Sequence, residues 1–205
     1  MQESNLSDLV RALEEVQDSV IQKIGTFPKS TIVVAREEKG KKHGHFTTLE
    51  TWKQGEDLRH EIFLSAESLS RGAKETLGTL LHEMAHAFNH ANQIEDVTGD
   101  GYHNKKFQST AERIFSLEIT KAKGIGFSKT AVPDSALIRW SEELAKIEEA
   151  LKVHALSLNG RAGKGRDKNG IKAVCGCGEI IRLSQKAYDN CRPMCSECEG
   201  YFIAE

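Results

Sequence analysis

Residues Thr79 to His86 read Thr-Leu-Leu-His-Glu-Met-Ala-His. On a helix, His82 and His86 lie four residues apart on one face, where both can reach a single metal ion. Glu83 follows the first histidine and can act as a base on a water beside that ion. This is the zinc-hydrolase arrangement His-Glu-x-x-His. Five positions are few enough to match by chance, so the surrounding residues must carry the assignment.

A helical wheel at 100° per residue tests it. With Leu77 at zero, Ala73, Leu80, Leu81, Met84 and Phe88 fall within roughly 60° and form one apolar stripe. His82 and His86 fall at roughly 140° and 180°, opposite the face that must enter the core. A third ligand has to come from elsewhere. His90 continues the four-residue spacing, but eight residues of helix put it about 12 Å from His82, too far for two zinc–nitrogen bonds of about 2.0–2.1 Å. His103 opens a second helical pattern, with Phe107, Ala111 and Ile114 following at helical spacing, so His103 is the expected third ligand, delivered by a second helix after a loop. His90 and a carboxylate such as Glu95 or Glu112 are the alternatives. His43, His45, His60 and His154 are scattered and read as surface, turn or lone helix residues.

A second cluster lies near the C-terminal end of the sequence. Cys175 and Cys177 precede the β-rich Ile180 to Leu183, and Cys195 and Cys198 follow it. Two cysteine pairs around a short β segment are the pattern of a zinc ribbon, and four thiolates close the coordination shell, so the site is expected to be structural. So short a module has too little core to fold without its metal. The first pair has one intervening residue rather than two, and Cys191 is a spare thiol.

The elements that position these groups can be read from periodicity. Leu6, Leu9, Val10, Leu13, Val16, Val20, Ile21 and Ile24 predict a packing helix stopped by Gly25 and Pro28. Ser30 to Arg36, His45 to Thr51 and Arg59 to Ser65 read as three strands, with a charged turn between the first two. Strands followed by the His82 helix predict a small antiparallel sheet with that helix laid across it. Ser70 is placed to cap the helix, which should run from about Gly72 to Ala91. Gly124 to Pro133 reads as a connector with extended character. Asp134 or Ser135 should cap a long helix to about Leu158, ended by Asn159-Gly160. Arg161, Lys164, Arg166, Lys168 and Lys172 alternate with glycines against a single Asp167, which makes a flexible basic linker: either a tether or a phosphate contact.

The 205 residues suffice for one sizeable core and a small accessory module. Hydrophobic content of 39% and charged content of 28% are those of a soluble globular protein. A formal net charge of -2 gives no global basic field, so any nucleic-acid contact must be local. No apolar run is long enough for a membrane span, and the first residues lack a signal-peptide core. A reducing cytoplasm is the expected location, where the five cysteines read as metal ligands rather than disulfides.

Taken together, Glu61 to Ser65, Thr79 to His86, Asp96, Tyr102 to Phe107, Ala111-Glu112 and the cysteine pairs resemble the SprT-like family of zinc metallopeptidases, especially its compact bacterial and phage-borne members. The resemblance covers roughly residues 30–120, and 172–203 in outline. It implies an α+β fold with a zincin-like metalloprotease core and a C-terminal zinc ribbon. It also implies a catalytic Zn2+ on His82, His86 and His103, with Glu83 as the catalytic glutamate. Family members of known role cleave proteins bound or crosslinked to DNA through DNA-binding parts C-terminal to the protease, which makes the linker and ribbon here a candidate DNA-contacting unit. The expected organisation is a protease domain over 1–130, a connecting helix over 131–158, the linker over 159–172 and the ribbon over 173–205. Tyr102, beside His103, is a candidate oxyanion donor, and the strand around Ile62 is expected to pair with an extended substrate. The alternatives are a non-catalytic DNA-binding adaptor with two structural zinc sites and a metal-dependent amidase acting on a small substrate.

Overall fold

The computed structural model describes residues 5–37, 42–122, 126–153 and 171–204. The chain divides into two units, Met1–Ser157 and Leu158–Glu205. The first begins with α1 (Leu6–Ile24), started by a capping box in which the Asn5 side chain and the Asp8 carboxylate each accept from the other's backbone N–H. Leu9, Leu13, Val16 and Val20, three or four residues apart, are fully buried, as their periodicity predicts.

The strands are β1 (Ser30–Ala35), β2 (Gly44–Gln54) and β3 (Asp57–Ser65), ordered β1-β3-β2. β2 and β3 form an antiparallel hairpin, but β1 runs parallel to β3, with Ile32 beside Ile62. The expected antiparallel sheet is therefore mixed. β1 and β2 still run in opposite directions, and β3 returns between them. Ile62, Phe63 and Leu64 are all buried, and such an unbroken apolar run suits the central strand better than an edge.

α2 (Ala73–Ala91) carries the His-Glu-x-x-His motif. Ser70 does not cap it. Ser68–Arg71 forms a 3-10 turn, the Ser70 hydroxyl donates to the Glu67 carbonyl, and Gly72 takes the N-cap position. Leu77, Leu80, Leu81 and Met84 are fully buried, and Ala73 and Phe88 pack against the same core, so the apolar stripe is where the wheel puts it. After α3 (Lys105–Arg113), β4 (Glu118–Ala122) pairs antiparallel with β5 (Gly126–Ala131), and the extended character expected of Gly124 to Pro133 is the strand β5.

The long helix expected from Asp134 to about Leu158 is two shorter ones, α4 (Asp134–Arg139) and α5 (Ser141–Ala150). Pro133, rather than Asp134 or Ser135, occupies the N-cap position. The break falls at Trp140, whose indole is fully buried and donates to the Phe115 carbonyl at 2.9 Å. That anchorage turns the chain so that α5 packs along α1 and α2 instead of projecting as a connector, and Ala136, Trp140, Ile147 and Ala150 join the main core. Residues 154–158 of that prediction, His154 included, lie outside the described residues, as does the basic linker up to residue 170.

One buried charge fastens α5 to α1. The Glu143 side chain is 1% exposed and accepts from Lys23 Nζ at 2.7 Å and Ser19 Oγ at 2.5 Å. Burial works to raise the Glu143 pKa, but the bonds from Lys23 and Ser19 outweigh it and hold the carboxyl below its ordinary value.

The second unit contains β6 (Ile171–Val174), β7 (Ile180–Leu183), α6 (Gln185–Cys191) and β8 (Ile203–Ala204). Its strands form an antiparallel sheet ordered β7-β6-β8. Among the described residues its buried core is Ala173, Cys175, Cys195 and Phe202. Among the described residues no helix is long and apolar enough to cross a membrane.

A carboxyl with a depressed folded pKa adds stability above its unfolded pKa and loses it as pH falls through the folded value. Glu143→Gln should therefore cost about 1.5–3 kcal/mol at neutral pH, the worth of a hydrogen bond to a charged group. Urea denaturation of both proteins should show that difference closing below about pH 4, where the wild-type carboxyl also becomes neutral.

Candidate metal centre and cleft

Three side chains converge on one point from two stretches of chain. His82 and His86 project from α2, and His103 reaches them from the segment just before α3. His103 Nε2 lies 2.8 Å from His86 Nε2 and 3.3 Å from His82 Nε2. Two zinc–nitrogen bonds of about 2.0–2.1 Å at the tetrahedral angle would separate their nitrogens by about 3.4 Å. The structure brings His103 into the group, where a third ligand is expected, but from a different element. His103 is not helical: it bridges Val97 on one side and Gly126 on the other, and α3 starts only after Asn104, whose side chain accepts from the N–H groups of Lys106 and Phe107.

The outer nitrogen of each ring faces an oxygen. His86 Nδ1 lies 2.6 Å from Asp96 Oδ2, His82 Nδ1 2.7 Å from Thr130 Oγ1, and His103 Nδ1 2.5 Å from Ser128 Oγ. Burial would raise the Asp96 pKa, but the hydrogen bonds from His86 and Asn89 hold it below the ordinary carboxylate value. An ionised carboxylate only accepts, so the His86 proton sits on Nδ1 and its Nε2 offers a lone pair. Burial and the neighbouring imidazoles push His82 well below its ordinary pKa, and burial foremost takes His103 down to about 4. Three imidazole nitrogens converging at these distances form a donor set that suits zinc.

Phe107 forms the floor. It is fully buried, and its ring centroid is 4.5, 4.4 and 4.5 Å from those of His82, His86 and His103. Asn89, also fully buried, donates to Asp96 Oδ2 at 3.0 Å and accepts from Thr110 of α3 at 2.7 Å, tying the loop and α3 to the metal helix. The other sequence candidates lie elsewhere. His90 is outside the group, its ring 4.9 Å from that of His60 and 5.7 Å from that of Phe46. His60 is buried rather than superficial, with Nδ1 on the Thr47 carbonyl. His45 stacks on Phe63. Glu112 accepts from Gln108 and from the Ile119 N–H. Glu95 lines the cleft without joining the group.

Glu83 is 5% exposed, and burial pushes its pKa up to about 7. A cation beside it would draw that value back down. It shares with the three histidines a cleft of about 1530 Å³, walled by the start of β2 (Gly44, His45, Phe46), by Asp96 to Thr98 and by Ser128 to Thr130. Tyr102, 43% exposed, stands in the same wall beside His103. β2 is an edge strand. β3, which contains Ile62, is paired on both sides and has no edge to offer; of the two edge strands, β1 and β2, it is β2 that borders the cleft. Gly44 is required where β2 passes Glu83: a Cβ there would lie 2.8 Å from the Phe63 carbonyl and 3.0 Å from Glu83 Oε1.

The sequence model of the SprT-like family matches residues 13–123, more than half of the chain. The chain belongs to the SprT-like family. No curated protein and no solved structure matches it. Members of the SprT-like family are generally associated with metallopeptidase function, and the matched stretch contains α2, Asp96 and His103 but ends before β5.

In the second unit the Sγ atoms of Cys175, Cys177, Cys195 and Cys198 lie within 4.8 Å of one another. Zinc–sulfur bonds of about 2.3 Å would set tetrahedral sulfurs about 3.8 Å apart, and Cys177 and Cys195 are at 3.7 Å. Cys175 and Cys177 approach to 2.9 Å, so the one-residue spacing does bring both thiols to the cluster. The close contact between the two thiols lowers the Cys175 pKa to about 7 and raises that of Cys177 to about 12, as sharing one proton requires. Cys191, at the end of α6, stays exposed and outside the group.

With one ion per cluster, elemental analysis should find about two zinc ions per chain, falling to about one in Cys195→Ser/Cys198→Ser. Retention of both ions would remove the ribbon assignment. Gly44→Ala should lower stability by about 1–3 kcal/mol in urea denaturation, because the Phe63 backbone cannot yield to the new methyl. It should leave the zinc content unchanged.

Proposed function

We propose that the protein is a zinc endopeptidase with a zincin-like core that cuts proteins bound or crosslinked to DNA. The observation that carries the peptidase reading is that a buried carboxylate and three converging imidazole nitrogens face one cleft beside an unpaired strand edge. A structural site gains nothing from Glu83 at that position. Zinc bound there supplies Lewis acidity toward water and toward a peptide carbonyl. Glu83 takes the proton of the attacking water and returns it to the leaving amine nitrogen. The edge of β2 binds the substrate main chain by strand addition, which selects extended backbone over side-chain sequence. Tyr102 donates to the developing oxyanion from the wall beside His103.

The DNA part rests on charge and on the family. Residues 171–204 hold four basic side chains (Lys172, Arg182, Lys186, Arg192) and four acidic ones (Glu179, Asp189, Glu197, Glu199), whereas 159–170 hold four basic and only Asp167. Phosphate contact therefore belongs to the linker more than to the ribbon surface. A cleft that reads backbone has little sequence specificity, and tethering to DNA would supply the selection.

The test is cleavage of a DNA-binding protein, with and without DNA, by wild type, Glu83→Gln and Tyr102→Phe. Loss of the general base should cost about 10²–10⁴-fold with zinc retained. Tyr102→Phe should slow turnover with zinc binding unchanged. A wild type that cuts nothing under any DNA or zinc condition rules out the peptidase, and equal cutting without DNA rules out the tether.

A further inference from the structure

β5 meets the metal centre at every second residue. Gly126, at φ +70°, lies against His103: a Cβ there would be 2.5 Å from the His103 carbonyl, which also accepts from the Phe127 N–H. Ser128 reaches His103 Nδ1 and Thr130 reaches His82 Nδ1. Val132, just past the strand, is buried against α2 at Gly78, where an added Cβ would come within 2.6 Å of it. Side chains alternate faces along a strand, so residues 126, 128, 130 and 132 share one face. Lys129 and Ala131, on the other face, are exposed.

We propose that this face of β5 is the template that sets the histidine centre, with Ser128 and Thr130 as its positioning residues. The proposal rests on the three histidines being a metal site. α2 anchors the His82 backbone, the segment before α3 bridges to β5 at His103, and Phe107 packs against both rings. A ring so attached can still turn about its side-chain bonds. A hydroxyl 2.5–2.7 Å from Nδ1 fixes the ring plane, and by accepting from Nδ1–H it supports the tautomer that leaves Nε2 free to ligate. The third ring is held by Asp96, which only accepts, while the two on β5 are held by neutral hydroxyls. The template thus orients two donors without adding negative charge to the centre.

The experiment is a zinc titration of the full chain against a competing chelator, followed by the ring ¹⁵N signals of histidine. Residues 171–204 contain no histidine, so zinc at the cysteine cluster has no imidazole ligand to shift. Thr130→Val and Ser128→Ala should each weaken zinc binding by about 10–100-fold and lose the protected Nδ1–H signal of their own ring. Thr130→Ser and Ser128→Thr should restore both, and Ala131→Ser, on the outer face, should change neither. Wild-type affinity and an intact Nδ1–H in Thr130→Val and Ser128→Ala would overturn the proposal. A wild type whose ring signals do not respond to zinc would instead overturn the metal centre on which it rests.

Discussion

Three imidazole nitrogens brought within bonding distance of one point are the constraint that organises the first unit. Lone pairs do not converge unaided, so every element near the centre holds a ring in place. α2 supplies two histidines at one-turn spacing and is buried on nearly all sides, which stops it rotating. The loop after it supplies Asp96, β5 supplies two hydroxyls, and α3 supplies the phenyl floor. Remove the convergence and these choices lose their common reason: Asn89, Thr110 and Asp96 form one hydrogen-bonded chain whose last member is His86.

Glu83 shows how closely core and cleft are fitted together. It sits on α2 between the apolar stripe and the histidine face, so its carboxylate is buried by the packing that fixes the ligands. Burial is the largest influence on that carboxyl and lifts its pKa to about 7. A divalent cation nearby favours its ionised form, and an ionised Glu83 in turn favours the cation. The lack of a side chain at Gly44 lets the edge strand run close enough to confine that carboxylate without displacing it.

The parts legible in the sequence are those encoded by short-range period. The α2 stripe, the three strands and the cysteine pairs each follow from spacings of two to four residues. His103 was legible as a ligand through the apolar positions that follow it, although Asn104 caps α3 and leaves His103 outside the helix. What pattern could not show is partnership over distance. Thr130 is 48 residues from His82, and Ser128 is 25 from His103. β5 itself, Gly-Phe-Ser-Lys-Thr-Ala, has one large apolar side chain and no alternation of polarity, because its inner face meets imidazoles rather than a hydrocarbon core. The parallel pairing of β1 and the turn at Trp140 have the same origin. Both are decided by what the chain meets far along the sequence.

The two clusters therefore stand in opposite relations to their folds. The cysteine cluster joins two close pairs in a unit whose buried core is four residues, two of them ligands. There a bound metal would supply folding energy, and the site and the fold would form together. The histidine centre is assembled from residues 82 to 130 on a core of twenty-four buried residues reaching from Leu9 to Ala150. That core holds the rings in place on its own account, and the metal adds stability only by binding the folded state. A site built by the fold can keep one coordination position for substrate, since no ligand has to be spent on holding the chain together. A site that builds its fold cannot. On the proposed reading catalysis accordingly belongs to the histidines, and the four cysteines, all committed to one cluster, serve the fold of the second unit.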